Sequence, residues 1–261
     1  MQVLLIAPIA LALYMSTLFL IALIRKNNGI ADIGYGIAFV ITIATALIAA
    51  RPTFSACMLA MLPFLWGVRL ATRIYFKNHG KPEDFRYKAW REQWGKSFIV
   101  RSFFQIYMLQ GAIVFIIALP VLFAIAYPAP DILRPLFHTG ILIWIMGFFL
   151  ESIGDYQLDR FIRNPANKGR IMTAGLWRYS RHPNYFGESS MWFGIAIAAA
   201  AISAYPFSFV GFVSPIVITF LLLKVSGVPL LEKHWEGNAE WESYAKRTSV
   251  FFPLPPKRPS S

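Results

Sequence analysis

Gly175-Leu176-Trp177-Arg178-Tyr179-Ser180-Arg181-His182-Pro183-Asn184-Tyr185-Phe186-Gly187-Glu188 is crowded with cationic and hydrogen-bonding side chains. The apolar run Met191-Trp192-Phe193-Gly194-Ile195-Ala196-Ile197-Ala198-Ala199-Ala200-Ala201 follows almost at once. A soluble loop can be polar without a reason. A basic, polar block at the mouth of a membrane helix must be stabilised by something it binds or pairs with. That juxtaposition sets the fold class and points to an anionic cofactor.

Composition agrees with a membrane chain. Of 261 residues, 57% are hydrophobic, 16% aromatic and only 15% charged, where an average soluble domain carries about 25% charged residues. Mean hydropathy is +0.52. The first apolar run, residues 3–24, is long enough to span a bilayer, and no small-residue cleavage site follows it. It reads as a transmembrane helix rather than a signal peptide. Cys57 is a lone cysteine inside an apolar run, so it builds neither a disulfide nor a cysteine-based zinc site. His79, His138, His182 and His234 are scattered without metal-ligand spacing, and no metal is expected.

A spanning helix needs about 20 mainly apolar residues. Seven segments meet this: residues 2–24, 30–50, 54–76, 103–127, 134–153, 185–204 and 206–223. Pro120 and Pro215 fall inside two of them, where neighbouring helices can satisfy the freed backbone groups. Lys and Arg concentrate after the first, third, fifth and seventh segments, whereas the alternate connections hold only Arg51 and Arg134. The positive-inside rule then predicts an all-α, seven-span protein with the N-terminus outside and the C-terminus cytoplasmic. The same rule explains the net charge of +12 without a nucleic-acid partner. The connecting pieces are too short for an independent soluble core, so a single membrane domain is expected. The Pro-rich tail, residues 252–259, reads as extended.

Lys88, Arg91, Lys96, Lys257 and Arg258 need no explanation beyond topology. Three other groups do. The first runs from Asp155 to Glu188. Asp155, Asp159, Arg160 and Arg163 have helical spacing below the fifth span, and Asn164, Lys168 and Arg170 form a cationic turn. Arg178, Tyr179, Arg181 and His182 then lead into a helix starting near Pro183 or Asn184, whose N-terminus suits phosphate. Tyr185 and Glu188 lie in its first turns, and Glu188 is costly against lipid. The second group is the tail, with His234, Tyr244 and Arg247. It is either an interfacial amphipathic helix carrying Trp235 and Trp241 or a cover over a bound cofactor. The third is Asp32 at the head of the second span, with Tyr35 one turn on and Tyr87 beside charged groups on the same side. Asp32 is either solvated at the helix mouth or catalytic.

At these residues the chain resembles the steroid 5-alpha-reductase family, in its bacterial branch. The resemblance rests on residues 175–188, the Asp155 region and the two halves of the tail, Glu232-Lys233-His234-Trp235 and residues 242–253. The elements Asp32-Ile33-Gly34-Tyr35-Gly36 and Lys77-Asn78-His79-Gly80-Lys81-Pro82 add to it. It covers essentially the whole chain. It implies an integral protein of the bacterial inner membrane with seven helices, a substrate cavity mainly in residues 1–127 and an NADPH site mainly in residues 128–261. The substrate class it implies is a steroid or other lipophilic enone arriving from the lipid bilayer, reduced by a monomer.

The resemblance assigns Asp155, Asn184, Glu188, His234 and Tyr244 to the cofactor by direct match, with Arg163, Asn164, Lys168, Arg170, Arg178, Tyr179, Arg181, His182, Tyr185 and Arg247 around them. Asp32 falls near the family's Gln-Glu pair, although the Gln is absent. The family's carbonyl-contacting tyrosine falls near Trp66, which leaves Tyr35 or Tyr87 for that role. The Arg-His-Pro-Asn-Tyr element and the tail also resemble isoprenylcysteine and phospholipid methyltransferases, which bind S-adenosylmethionine. The cations at 163–181 suit a phosphate-rich ligand better, since S-adenosylmethionine carries no phosphate.

Overall fold

A computed structural model describes residues 2–129 and 134–257. Arg258 and Pro259, expected in the basic, extended tail, lie outside the described residues. The described chain is helical, and seven of its helices are long and apolar enough to cross a membrane. They are Gln2–Arg25, Ile30–Ile48, Phe54–Asn78, Phe85–Ala126, Arg134–Arg163, Pro183–Ile202 and Phe207–Lys233. The protein is therefore an integral, multi-pass membrane protein.

The first three are α1 (Gln2–Arg25), α2 (Ile30–Ile48) and α3 (Phe54–Asn78). Thr53 caps α3 by accepting a hydrogen bond from the Ala56 amide at 3.2 Å, a common way to satisfy a free N-terminal N–H. The fourth spanning element differs from its expected limits. It begins 18 residues earlier, with the polar helix α4 (Phe85–Trp94), then turns at Gly95 into α5 (Phe98–Arg101). Asp84 caps α4, which explains the early start. A wide π-type turn, Ser102–Met108, then leads into α6 (Leu109–Ala126). Such turns are rare and gather at functional sites.

The fifth spanning element, α7 (Arg134–Arg163), runs ten residues past its expected end, so the polar groups from Asp155 to Arg163 are its own last turns. The sixth, α8 (Pro183–Ile202), starts on Pro183, a residue suited to the first helical position because its missing N–H would be unpaired there anyway. The seventh is broken: α9 (Phe207–Val210), α10 (Val213–Phe220), a second π-type turn at Leu221–Val225, and α11 (Val228–Lys233). The last helix, α12 (Ala239–Arg247), has the Asn238 side chain accepting from the Trp241 amide, acids in its first turn and cations in its last, as the helix dipole favours.

The chain forms two compact units. The first comprises Met1–Phe137 and Ala196–Ser214. Within it α2 and α3 touch backbone to backbone, because a Cβ on Gly67 would fall 2.5 Å from the Gly36 carbonyl oxygen. Phe39, Trp66 and Tyr107 are fully buried there. Pro120 interrupts the backbone ladder of α6, and the Ser214 hydroxyl donates to the Ile117 carbonyl in the preceding turn at 2.7 Å. A hydroxyl at this place compensates for helix bonds that proline disturbs in an apolar medium.

The second unit comprises His138–Ile195 and Pro215–Ser261. Here α7 and α8 run antiparallel along a glycine seam. Gly140 meets Gly194, Gly147 meets Gly187, and Gly154 meets Asn184. A Cβ on Gly187 would fall 2.5 Å from the Glu151 amide nitrogen and 2.6 Å from the Gly147 carbonyl oxygen. Without a hydrophobic force between helices in lipid, small residues that admit close backbone contact hold such pairs together. The seam ends where the polar block begins, so it sets the position of Asn184 against α7.

Candidate functional site

Each unit carries a buried polar cluster. In the second unit it is built on the end of α7, the connection to α8, and the tail. The Trp177 indole N–H donates to the Gly154 carbonyl at 3.0 Å, and the Leu176 amide donates to Gln157 Oε1 at 2.9 Å, which ties the connection onto α7. The tail ties it from the other side. The Arg181 amide donates to the Ser249 carbonyl at 2.8 Å, the Leu254 amide to the Tyr179 carbonyl at 3.0 Å, and the Ser180 hydroxyl to the Phe251 carbonyl at 2.8 Å. Tyr244, buried on α12, donates its hydroxyl to the Trp177 carbonyl. Burial pushes the Tyr244 phenol well above its ordinary value, because a phenolate there would be poorly solvated. Tyr244 thus fastens the connection in place.

The polar centre lies within this frame. Asn184 Nδ2 donates to Asp155 Oδ1 at 3.1 Å, and Asp155 is only 3% exposed. His182 is also 3% exposed; its Nε2 sits 2.9 Å from Glu232 Oε1 and its ring stacks on Tyr185. Arg181 Nε lies 3.3 Å from the same Glu232 oxygen, an ion pair without hydrogen-bond alignment, and its guanidinium lies over the Trp241 ring. Glu188 is half-buried one turn into α8.

The expected cofactor residues therefore fall into two sets. Asp155, Arg181, His182, Asn184, Tyr185, Glu188 and Tyr244 are buried or half-buried around the start of α8, whereas Arg163, Asn164, Lys168, Arg170, Arg178, Tyr179, His234 and Arg247 are exposed. Asn164 Oδ1 accepts from the Ala166 amide and so shapes its own turn. The Arg247 Nε donates to the Ser243 carbonyl, and His234 packs edge-on against Trp235. Glu232, which sequence reasoning did not single out, joins the buried set.

In the first unit the cluster surrounds Asp32. The Tyr87 hydroxyl donates to Asp32 Oδ1 at 2.6 Å, and an Arg86 guanidinium N–H donates to Asp32 Oδ2 at 3.0 Å. Arg86 also bonds Asp84 through Nε at 2.9 Å. Burial pushes the Asp84 carboxyl up, but the hydrogen bonds and charge of Arg86 outweigh it and hold the group below its ordinary range. Tyr35 is on the same helix as Asp32, with its ring edge-on to Phe39 and Trp66. Of the two candidate tyrosines, Tyr87 comes from a different helix and is bonded directly to Asp32.

A second layer supports this pair. Glu83 accepts from the Asn28 amide at 2.8 Å and pairs with Arg91 at 2.9 Å. Fully buried Asn28 accepts from the Tyr107 hydroxyl at 3.2 Å and contacts Ser102 Oγ at 3.4 Å. Both Ser102 and Tyr107 sit on the π-type turn, whose extra residue per turn reorients them. Asn28 reads in the sequence as an ordinary turn residue after α1, and Tyr107 as an aromatic of an apolar span. Their meeting has no sequence signal.

A helical membrane protein with one buried acid–tyrosine pair and one buried Asp-Asn-His-Glu cluster behind a basic rim is the class these observations define. The chain belongs to the family described as "Protein of unknown function (DUF1295)", which matches residues 18–248. It is similar to 3-oxo-5-alpha-steroid 4-dehydrogenase 1 of Bos taurus, 30% identical over 121 residues, covering 46% of this chain and 42% of that one. It is 34% identical over 121 residues to the Homo sapiens protein of that name, with the same coverage of 46% and 42%. These matches bear out the resemblance to the steroid 5-alpha-reductase family. A probable O-methyltransferase of Ustilaginoidea virens is 33% identical over 69 residues, covering 26% of this chain and 24% of that one. The chain spans less than half the length of these curated relatives. No solved structure matches.

Proposed function

We propose that this protein is an NADPH-dependent membrane reductase of an activated C=C bond, with 3-oxo-Δ4 steroids as the substrate class and 5α-reduced steroids as products. The observation that carries the reading is the Tyr87–Asp32–Arg86 arrangement: a phenol held at 2.6 Å by a carboxylate that a guanidinium neutralises. Reduction of an enone places negative charge on the ketone oxygen as hydride arrives at the β-carbon. A preorganised donor at that oxygen, in a site shielded from water, stabilises the charge as it forms. Tyr87 is the donor. Its O–H rests on Asp32 and turns about the C–O bond toward the ketone oxygen. Arg86 offsets the charge of Asp32, so the carboxylate positions the phenol without opposing the developing enolate. Solvent water supplies the proton that adds at the α-carbon as the enolate returns to the ketone, which completes the reduction.

The second unit is assigned to the cofactor, and its residues fit a nucleotide. His182 Nδ1 and Asn184 Oδ1 are buried, and among the described residues no hydrogen-bond partner reaches either. Arg163, Lys168, Arg170 and Arg178 are exposed around the same connection, with side chains available to phosphates. When bound, NADPH supplies the hydride. Asp155, Asn184, His182 and Tyr185 hold and orient it, while the cations bind its phosphates. The N-terminus lies outside and the C-terminus in the cytoplasm, which puts the basic connections on the side where NADPH is made. The protein acts as a monomer in the bacterial inner membrane and takes its substrate from the bilayer.

A second reading, an S-adenosylmethionine-dependent methyltransferase of a lipid or prenyl-cysteine, is favoured by the similarity to the probable O-methyltransferase. Thermal unfolding of the purified protein with NADPH, NADH or S-adenosylmethionine separates the two. Stabilisation by NADPH, together with steroid-dependent loss of NADPH absorbance, is the expected result. Stabilisation by S-adenosylmethionine alone overturns the reductase.

A further inference from the structure

Glu232 occupies a place that the reading above does not use. It lies on α11, 50 residues after His182 in sequence, yet its Oε1 is 2.9 Å from His182 Nε2. A carboxylate has no hydrogen to give, so Nε2 is the nitrogen that carries the proton. Arg181 already balances the Glu232 charge at 3.3 Å. A second proton, on Nδ1, would be a buried N–H with nothing to receive it, a costly arrangement. The tautomer that fits these contacts is Nε2–H, in which Nδ1 presents a lone pair.

The same reasoning applies to Asn184. Its Nδ2 donates to Asp155 Oδ1 at 3.1 Å. Turning the amide over would set oxygen against oxygen, so the assignment of the two atoms is forced by Asp155. Asn184 Oδ1 is left as an acceptor. Both atoms are buried, and among the described residues neither has a hydrogen-bond partner. Buried acceptors without donors are uncommon in folded proteins and point to a missing ligand. Their chemistry is also of one kind: each is an acceptor, and neither can bind an anion.

We propose that Glu232 is a positioning residue that locks the His182 tautomer, so that His182 Nδ1 and Asn184 Oδ1 receive N–H or O–H donors of the bound nucleotide, as an amide or sugar hydroxyls present them. This rests on the assignment of the second unit to a nucleotide cofactor. It divides the labour at that site. The exposed cations meet phosphate, and the buried acceptors at the start of α8 meet the uncharged donors. The tautomer lock also explains why the buried His182 is paired with an acid from a distant helix.

The test uses the full-length protein in detergent or nanodiscs. Nucleotide affinity is measured with NADPH and with S-adenosylmethionine for the wild type, Glu232→Gln and Asn184→Ala. ¹⁵N-histidine spectra are recorded with and without nucleotide. The wild type is expected to show His182 protonated at Nε2, with the Nδ1 resonance moving on nucleotide binding. Each variant is expected to bind about tenfold more weakly, since a buried acceptor loses its donor or its orientation. In Glu232→Gln the two ring tautomers are expected to mix, a change that loss of packing alone does not produce. Unchanged affinity in both variants, or a wild-type Nδ1 that stays insensitive to nucleotide, overturns the proposal. If the wild type takes S-adenosylmethionine and not NADPH, the reductase reading fails, and the tautomer lock is judged on that ligand by the same variants. If neither nucleotide binds, both fail.

Discussion

Replacing Tyr87 by Phe removes one oxygen atom and tests the catalytic assignment directly. Tyr87 is 4% exposed, and its hydroxyl donates to Asp32 at 2.6 Å. A hydrogen bond to a charged group contributes about 1.5–3 kcal/mol to stability, so the variant loses folding stability of that order. Arg86 remains bonded to Asp32 at 3.0 Å and limits the loss to the lower end. Catalysis suffers more. Removing one donor aimed at a developing oxyanion costs about 10²–10³ in turnover, or about 2.7–4 kcal/mol. NADPH affinity is expected to stay at the wild-type level, because the variant touches only the first unit. The assay is kcat for 3-oxo-Δ4 steroid reduction beside a direct NADPH titration. Asp32→Asn serves as the companion variant, which lowers turnover by removing the charge that orients the phenol. If Tyr87→Phe turns over within about twofold of wild type, an effect far below the loss expected of a removed donor, the donor has been misassigned.

Two predictions concern the frame. Gly187→Val places a side chain where even a Cβ would lie 2.5 Å from the Glu151 amide nitrogen. The variant is expected to lose several kcal/mol, about 3 or more, by forcing α7 and α8 apart. Gly169→Ala, where nothing lies within 4 Å and the cost comes only from a φ of +77°, is expected to lose about 1–2 kcal/mol; thermal melting compares the two, and equal losses would refute the seam. Tyr244 gives a pH signature. Its folded pKa is raised by burial, so the unfolded chain loses the phenolic proton first. Stability is full below the unfolded value of about 10 and falls as pH rises above it. The dependence of melting temperature on pH through that range should be flatter for Tyr244→Phe than for wild type, and identical slopes would mean that Tyr244 does not fasten the connection between α7 and α8.

The spans were legible because length and apolarity alone carry that information. A run of about 20 apolar residues has few alternatives to a membrane helix, and all seven segments recur as helices. The start of α8 was legible for the same local reason, since proline prefers the first position of a helix. Limits set by polar residues were harder to read. The fourth spanning element begins at Phe85, because the Asp84 cap and the π-type turn join a polar helix to an apolar one. The glycine seam was present at seven-residue spacing in Gly140, Gly147 and Gly154. It acquires meaning only when α8 offers Gly194, Gly187 and Asn184 in the reverse order.

Residue type by itself brought Asp32, Asp155, His182, Asn184 and Glu188 to notice, since polar groups at apolar helix mouths are costly without partners. It also gathered Arg163, Lys168, Arg170 and Arg178 with the buried residues, although these cations stand at the surface. Finding Tyr87 on Asp32 required the fold, because Tyr35 and Tyr87 both lie near charged groups in sequence and the hydrogen bond from Tyr87 closes over 55 residues. The pairing of His182 with Glu232 and of Asn28 with Tyr107 required it too. These contacts close over 50 and 79 residues. Local sequence reports the cost of burying a polar group. Which partner meets that cost is set by helix packing, where backbone distance along the chain has no bearing on distance in space.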